Sequence, residues 1–204
     1  MSLHADALGV LEAWEPPAGG QRELRDRYVA HLRARPDAMT RACFPDHLTA
    51  STLVLSAAGD EVLLTLHAKA RAWFQFGGHC EREDSTLAGA AAREAAEESG
   101  IEGLVLDPVP VQLSEHAVPF CGPRGGVHHL DVRFVAVAPA EARHAVSKES
   151  LEVRWWPADA LPDPQPDMVE LVELARARRQ STSSALVSPS SSEPGGGSRW
   201  AAEE

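Results

Sequence analysis

The chain reads as an α/β protein built in α/β/α layers, a mixed sheet covered by helices on both faces, with an N-terminal helical extension ahead of it. Three features predict this. Two β-rich runs are joined by a short Gly-containing turn. An amphipathic helix then separates that hairpin from a second group of strand-like runs, and another apolar-periodic helix follows the last of them. At 204 residues the chain has room for one ordinary core, with an elaboration at its start and a tail at its end.

Residues 1–45 form the extension. Leu24, Tyr28 and Leu32 recur at helical spacing after the break at Pro16-Pro17-Ala18-Gly19-Gly20, and Trp14 and Tyr28 read as packing aromatics. The main domain spans residues 46–179. His47–Leu55 and Glu61–Leu66 flank a Gly59-Asp60 turn, and Trp73-Phe74-Gln75-Phe76 is a further short strand that delivers the chain to Gly77-Gly78. Beyond the central helix, Val109–Val118 alternates apolar and polar residues. Val127–Val137 follows a Gly/Pro loop at 119–126, and Leu151–Trp156 ends at Pro157. Met168, Leu171, Val172 and Ala175 mark the closing helix. From Gln180 to Glu204 the composition turns to Ser, Pro and Gly, which predicts a disordered tail at 180–204 because too little apolar area is available to offset ordering.

The central helix carries the most chemical information. Glu94, Glu97 and Glu98 fall within roughly 100° of one another at 3.6 residues per turn, while Ala88, Ala91, Ala92 and Ala95 occupy a separate arc suited to close packing on a sheet. Like charges three and four residues apart oppose helix formation by about 0.2–0.5 kcal/mol per pair, so the pattern makes most sense if a cation neutralises it. Arg93 offsets one carboxylate through Glu97. A cluster of carboxylate oxygens selects a hard divalent ion such as Mg²⁺, which retains waters and reaches phosphate oxygens. Such an ion makes attack on a phosphoanhydride feasible near neutral pH. Gly77 and Gly78 allow the main chain to approach a phosphate or a metal-bound water, and His79 stands next to them as a hydrogen-bond donor to the same groups.

Gly77 to Ile101, GGHCEREDSTLAGAAAREAAEESGI, resembles the signature of the Nudix hydrolases, GX5EX7REUXEEXGU with U a large aliphatic residue. REAAEESGI, Arg93 to Ile101, matches its second half except at Ala95. In the first half, five residues lead from Gly78 to Asp84 in place of Glu, and eight residues instead of seven separate Asp84 from Arg93. A one-residue insertion near Ser85 and Thr86, either of which can cap the helix, accounts for the spacing. The resemblance covers residues 46 to about 179 and implies a Nudix-like α/β/α sandwich with a mixed sheet. It implies hydrolysis of the pyrophosphate linkage of a nucleoside diphosphate derivative, with Mg²⁺ or Mn²⁺ held by Glu94, Glu97, Glu98 and the Gly78 carbonyl, and Arg93 orienting Glu97. In such enzymes a general base often comes from the loop before the last strand, where Glu149 is the first candidate and Glu152 the second. A Nudix-fold module that binds a nucleotide without cleaving it is the alternative, kept open by Asp84 and the inserted residue.

Charge and composition narrow the partners. A formal charge of −11 argues against a nucleic-acid surface, which normally needs a basic stripe. Phosphate substrates stay compatible, because bound divalent ions invert the sign of a carboxylate site. MSLHADALGV lacks the pattern of a secretory leader, and no apolar run reaches the roughly 18 residues of a membrane span. A soluble cytoplasmic protein is expected, with a small-molecule substrate and an open oligomeric state in which the N-terminal helices could exchange between subunits. Cys43, Cys80 and Cys121 are odd in number and widely spaced, so reduced thiols are expected. His79 and Glu81 have the H-x-E spacing of zinc deaminases, but the partner PCxxC is missing. His128 and His129, adjacent in a strand, must point to opposite faces.

Overall fold

The computed structural model describes residues 1–17, 19–119, 121, 125–148 and 150–187. Helices α1 (Leu3–Ala13) and α2 (Gly19–Ala34) precede strands β1 (Asp46–Leu55), β2 (Glu61–His67), β3 (Trp73–Phe74) and β4 (Phe76–His79). Helix α3 (Leu87–Ser99) follows, then β5 (Val105–Ala117), β6 (His128–Val137), β7 (Ser150–Pro157) and α4 (Pro166–Val187). The expected hairpin, central helix, later strands and closing helix are all present.

The strands form one mixed sheet with the path β3-β2-β1-β6-β5, β4 pairing with β1 and β7 with β2. Its centre is a parallel pair, β1 beside β6, in unbroken register from Asp46↔His128 to Leu55↔Val137. The other pairings are antiparallel. Along its second edge β1 is shared: Val54 and Leu55 pair with β2, whereas Thr49–Thr52 pair with β4. The run expected as one strand from Trp73 to Phe76 is therefore two, β3 on β2 and β4 on β1. Strand β5 begins at Val105, earlier than its alternation predicts, because Val105–Asp107 pair with β6 ahead of an irregularity that spans Pro108 and Pro110. Prolines lack the N–H that a ladder needs and collect at such bulges.

Each sheet face has its own helices. Ala7, Leu11, Trp14, Tyr28 and Leu32 of the N-terminal segment pack with Leu87, Ala90 and Ala91 of α3 over Leu48, Ala50, Leu130, Val132 and Phe134. On the opposite face Met168, Leu171, Val172 and Ala175 of α4 cover Leu53, Leu55, Val62, Leu64 and Val135. Fully burying a large aliphatic or aromatic side chain contributes about 1.5–3 kcal/mol, so Leu11, Tyr28 and Leu32, each nearly inaccessible, tie the extension to the main core of its own chain. Trp14 and Tyr28 are packing residues, as expected. Among the described residues no helix is long and apolar enough to cross a membrane.

Helix α4 continues eight residues past Arg179, where the sequence turns polar. Ser181 Oγ donates to Ala177 O and Thr182 Oγ1 to Arg178 O, both at 3.1 Å. Bonding back to the carbonyl one turn earlier is a recognised way for Ser and Thr to be accommodated inside a helix. The remainder of the predicted tail, 188–204, lies outside the described residues.

Candidate active site

Helix α3 is defined at both ends. Thr86 is its N-cap, and its Oγ1 accepts from Gly89 N at 3.0 Å. A second orphan donor of the first turn, Leu87 N, is taken at 2.8 Å by Asp6 Oδ2 from α1. At the other end Gly100 adopts φ 68° and returns its N–H to Ala96 O at 2.9 Å, a left-handed cap that glycine adopts without a Cβ penalty. The buried positions are Leu87, Ala90, Ala91, Ala95 and Ser99. The stripe expected through Ala88 and Ala92 is thus rotated. Those two are only half-buried, whereas Leu87, Ala90 and Ala91 join the apolar cluster shared with the N-terminal segment and the sheet.

This rotation separates the glutamates. Glu94 and Glu98, one turn apart, fall inside the buried arc and meet the sheet where β4 has no side chains. A Cβ on Gly78 would lie 2.8 Å from the Glu94 carboxylate carbon, and Gly77 N donates to Glu98 Oε2 at 3.1 Å. Glu97 instead looks outward, its side chain 61 % exposed against 15 % for Glu94. The two glycines therefore make a cradle for two carboxylates between helix and sheet, with the third at its rim.

Arg93 binds this cluster together. Its Nε and Nη2 donate to Asp84 Oδ1 and Oδ2 at 3.1 and 2.9 Å, Nη1 to Glu94 Oε1 at 3.1 Å and Glu97 Oε2 at 3.2 Å, and Nη2 also to His79 O at 3.1 Å. Asp84 reaches the arginine despite its shorter side chain, because the loop at 80–86 folds back and Glu81 N donates to Asp84 Oδ2 at 2.8 Å. Burial works to raise the Asp84 carboxyl, yet the hydrogen bonds from Arg93 and Glu81 N hold it below its ordinary value. Among the described residues, Arg93 gathers the carboxylates of Asp84, Glu94 and Glu97, with Glu98 beside them at Gly77, and carboxylate oxygens clustered in this way could hold a hard cation such as Mg²⁺ or Mn²⁺.

Other residues singled out from the sequence lie elsewhere. The His79 ring leaves β4 on the side away from α3, and its Nε2 lies 3.0 Å from His47 Nε2; its backbone carbonyl, through Arg93, is its link to the carboxylates. Glu149 lies outside the described residues. Glu152 is exposed, and alternation along β7 turns it away from Val153, which packs with Phe76 and Ala95 beneath α3. His128 and His129 do diverge: His128 Nδ1 meets Asp46 Oδ1 at 3.1 Å, whereas His129 joins His47 and His79. Cys80 packs at the edge of the α1–α2–α3 core, and burial pushes its thiol up to about 12.

A polar layer on the α4 side of the central strands was not anticipated. Asp131 is buried and accepts from Thr49 Oγ1 at 2.9 Å, Ser51 Oγ at 2.7 Å and Arg133 Nε at 3.1 Å. Arg133 Nη1 continues to Gln112 Oε1 and Asp167 Oδ2, at 2.8 and 2.7 Å. Beside it His47, His79, His129 and Cys121 converge. Burial above all, then Arg41 and the neighbouring imidazoles, pushes His79 down to about 3, and burial followed by His47 and His116 pushes His129 down to about 4. These rings are neutral at neutral pH.

Residues 45–175 match a family model described as the NUDIX domain. The fold is shared with the NUDIX domain of Shewanella oneidensis NrtR, solved with ADP ribose, at 23 % identity and TM-score 0.53 over 74 % of this chain and 97 % of that one. A NUDIX-family hydrolase from Clostridium perfringens aligns at 22 % identity and TM-score 0.52, over 65 % and 97 % of the two chains. A Caenorhabditis elegans Ap4A hydrolase aligns at 18 % and 0.51, over 67 % and 98 %. No curated protein matches the sequence significantly.

Proposed function

The chain belongs to the Nudix family, and on that footing we propose that it is a divalent-metal-dependent hydrolase cleaving the pyrophosphate linkage of a nucleoside diphosphate derivative. The observation that carries the proposal is the cradle at Gly77-Gly78, in which Glu94 and Glu98 are held between helix and sheet. Glu94 and Glu98, with Glu97 at the rim and the Gly78 carbonyl, would hold Mg²⁺ or Mn²⁺. When bound, the ion polarises phosphoryl oxygens and acidifies water. Arg93 fixes the directions of Glu94 and Glu97 while Asp84 anchors the arginine. The backbone at Gly77-Gly78 lets the diphosphate approach, and Glu149, by its place in the chain just ahead of β7, is the proposed general base. ADP ribose and Ap4A, named for two of the structural neighbours, are the chemical class to try first. A cytoplasmic setting suits the thiols of Cys43, Cys80 and Cys121.

The test is release of nucleotide product with Mg²⁺ across a panel of diphosphate compounds, comparing the parent with Glu98→Gln and Glu97→Gln. Hydrolysis by the parent should fall on the order of 100-fold or more in Glu98→Gln and less in Glu97→Gln, whose carboxylate lies at the rim. Tight nucleotide binding with no turnover under any divalent ion would replace the enzyme with a binding module.

A further inference from the structure

His47, His79, Cys121 and His129 come from four separate segments, the start of β1, the end of β4, the chain after β5 and the start of β6, yet their donor atoms all lie within 4.8 Å of one another. The individual separations are 3.0 Å between His47 Nε2 and His79 Nε2, 3.6 Å from His79 Nε2 to Cys121 Sγ, 3.9 Å from His47 Nε2 to Cys121 Sγ and 3.4 Å from His129 Nε2 to Cys121 Sγ. Four ligands placed tetrahedrally at zinc's bond lengths would stand about 3.3 Å apart for a nitrogen pair and about 3.6 Å apart for nitrogen and sulfur. These four separations lie within a few tenths of an ångström of those values, and the two pairs joining His129 to His47 and His79 lie within 4.8 Å, so His129 closes on the other three as the ion binds.

We propose that these four side chains form a closed tetrahedral site for a zinc-class transition-metal ion, distinct from the glutamate site and serving to pin the end of β4. His47 is already arranged as such a ligand: its Nδ1 lies 3.2 Å from Cys43 O and donates there, leaving the Nε2 lone pair directed into the cluster. An imidazole that ligates through one nitrogen and donates to a backbone carbonyl through the other is the usual supporting arrangement at metal sites. Imidazole and thiolate donors suit zinc and its neighbours in the transition series, whereas Mg²⁺ takes oxygen. His47 is 1 % exposed and the other three are half-buried, so the site is sheltered but reachable. Its position gives it a purpose. His79 stands next to Gly78, and its carbonyl receives Arg93, so an ion fixing the His79 ring also fixes the strand on which the glutamate cradle depends. Binding displaces the thiol proton of Cys121 to solvent and involves no redox step.

The full chain, produced with zinc in the medium and desalted without chelator, should hold about one zinc ion per molecule by elemental analysis. Exchange into cobalt should give the visible bands of a four-coordinate ion and a thiolate-to-cobalt charge-transfer band in the near ultraviolet. Cys121→Ser should abolish the charge-transfer band, His129→Asn should lower metal content at least about tenfold, and Glu98→Gln should leave both unchanged. A parent protein that retains no zinc or cobalt, or that binds cobalt without the charge-transfer band, overturns the proposal whether or not the variants fold. Retention of metal by both Cys121→Ser and His129→Asn overturns it as well. These readouts need neither substrate nor Mg²⁺, so they fail or succeed independently of the hydrolase reading.

Discussion

Asp84 shows how one shortened and displaced side chain keeps its place. It makes a two-pronged pair with Arg93, and its side chain is only 7 % exposed, so Asp84→Asn should cost about 1–3 kcal/mol in a urea titration at pH 7. Because the folded carboxyl titrates below its unfolded value, this contribution is full above the unfolded pKa of about 3.9 and fades as pH falls through the lower folded value. Parent and variant should therefore converge only in strong acid; a difference that stayed constant from pH 7 to pH 2 would contradict the pairing. Gly78→Ala tests the cradle from the other side. The added methyl would meet Glu94 Oε1 at 2.8 Å, so Mg²⁺-dependent turnover should drop on the order of 10–100-fold with an unchanged circular dichroism spectrum. The glutamates were readable in the sequence because helical spacing converts directly into angle. Which of them turn inward was not, because that depends on how the helix is rolled against β1 and β4 in the folded sheet. The histidine and cysteine cluster was harder still, since its members come from four segments that only the sheet brings together. Its one local trace is the polar alternation His47-Thr49-Ser51 and His129-Asp131-Arg133 inside two apolar strands, which the parallel register then sets side by side.

Among the elements, α3 is the one on which others converge. It holds no Glu or Gln at its third position to complete a reciprocal cap, Gly89 standing there, and Asp6 supplies from another helix the acceptor that Leu87 N requires. A carboxylate at that end also complements the helix dipole. Asp6→Ala should lower stability by about 0.5–2 kcal/mol in equilibrium unfolding, and hydrogen exchange should quicken first at Leu87. If exchange at that amide is unaltered, α1 does not cap α3 in solution. Thr52 ties the middle of the same helix to β1, its Oγ1 donating to Ala91 O at 3.0 Å. The composition shift at Gln180 misplaced the end of α4 because Ser and Thr side chains can satisfy themselves on the previous turn.

At the scale of the whole molecule the boundary near residue 45, where the family match begins, does not divide two cores. Leu11, Trp14, Tyr28 and Leu32 share one apolar cluster with α3 and the sheet, so deleting residues 1–34 should expose that face and yield aggregated or loosely packed protein by size-exclusion chromatography and near-ultraviolet circular dichroism. A monomeric, cooperatively folding truncation would show the extension to be dispensable. The parallel pairing of β1 with β6 has a consequence for biogenesis. Its first partners are 82 positions apart, so as the nascent chain leaves the ribosome, α1, α2 and the leading hairpin emerge long before the strand that completes the middle of the sheet. Pairing across so long a stretch of chain slows folding and prolongs the exposure of apolar surface, so the early-emerging half waits with its sheet face uncovered until β6 arrives.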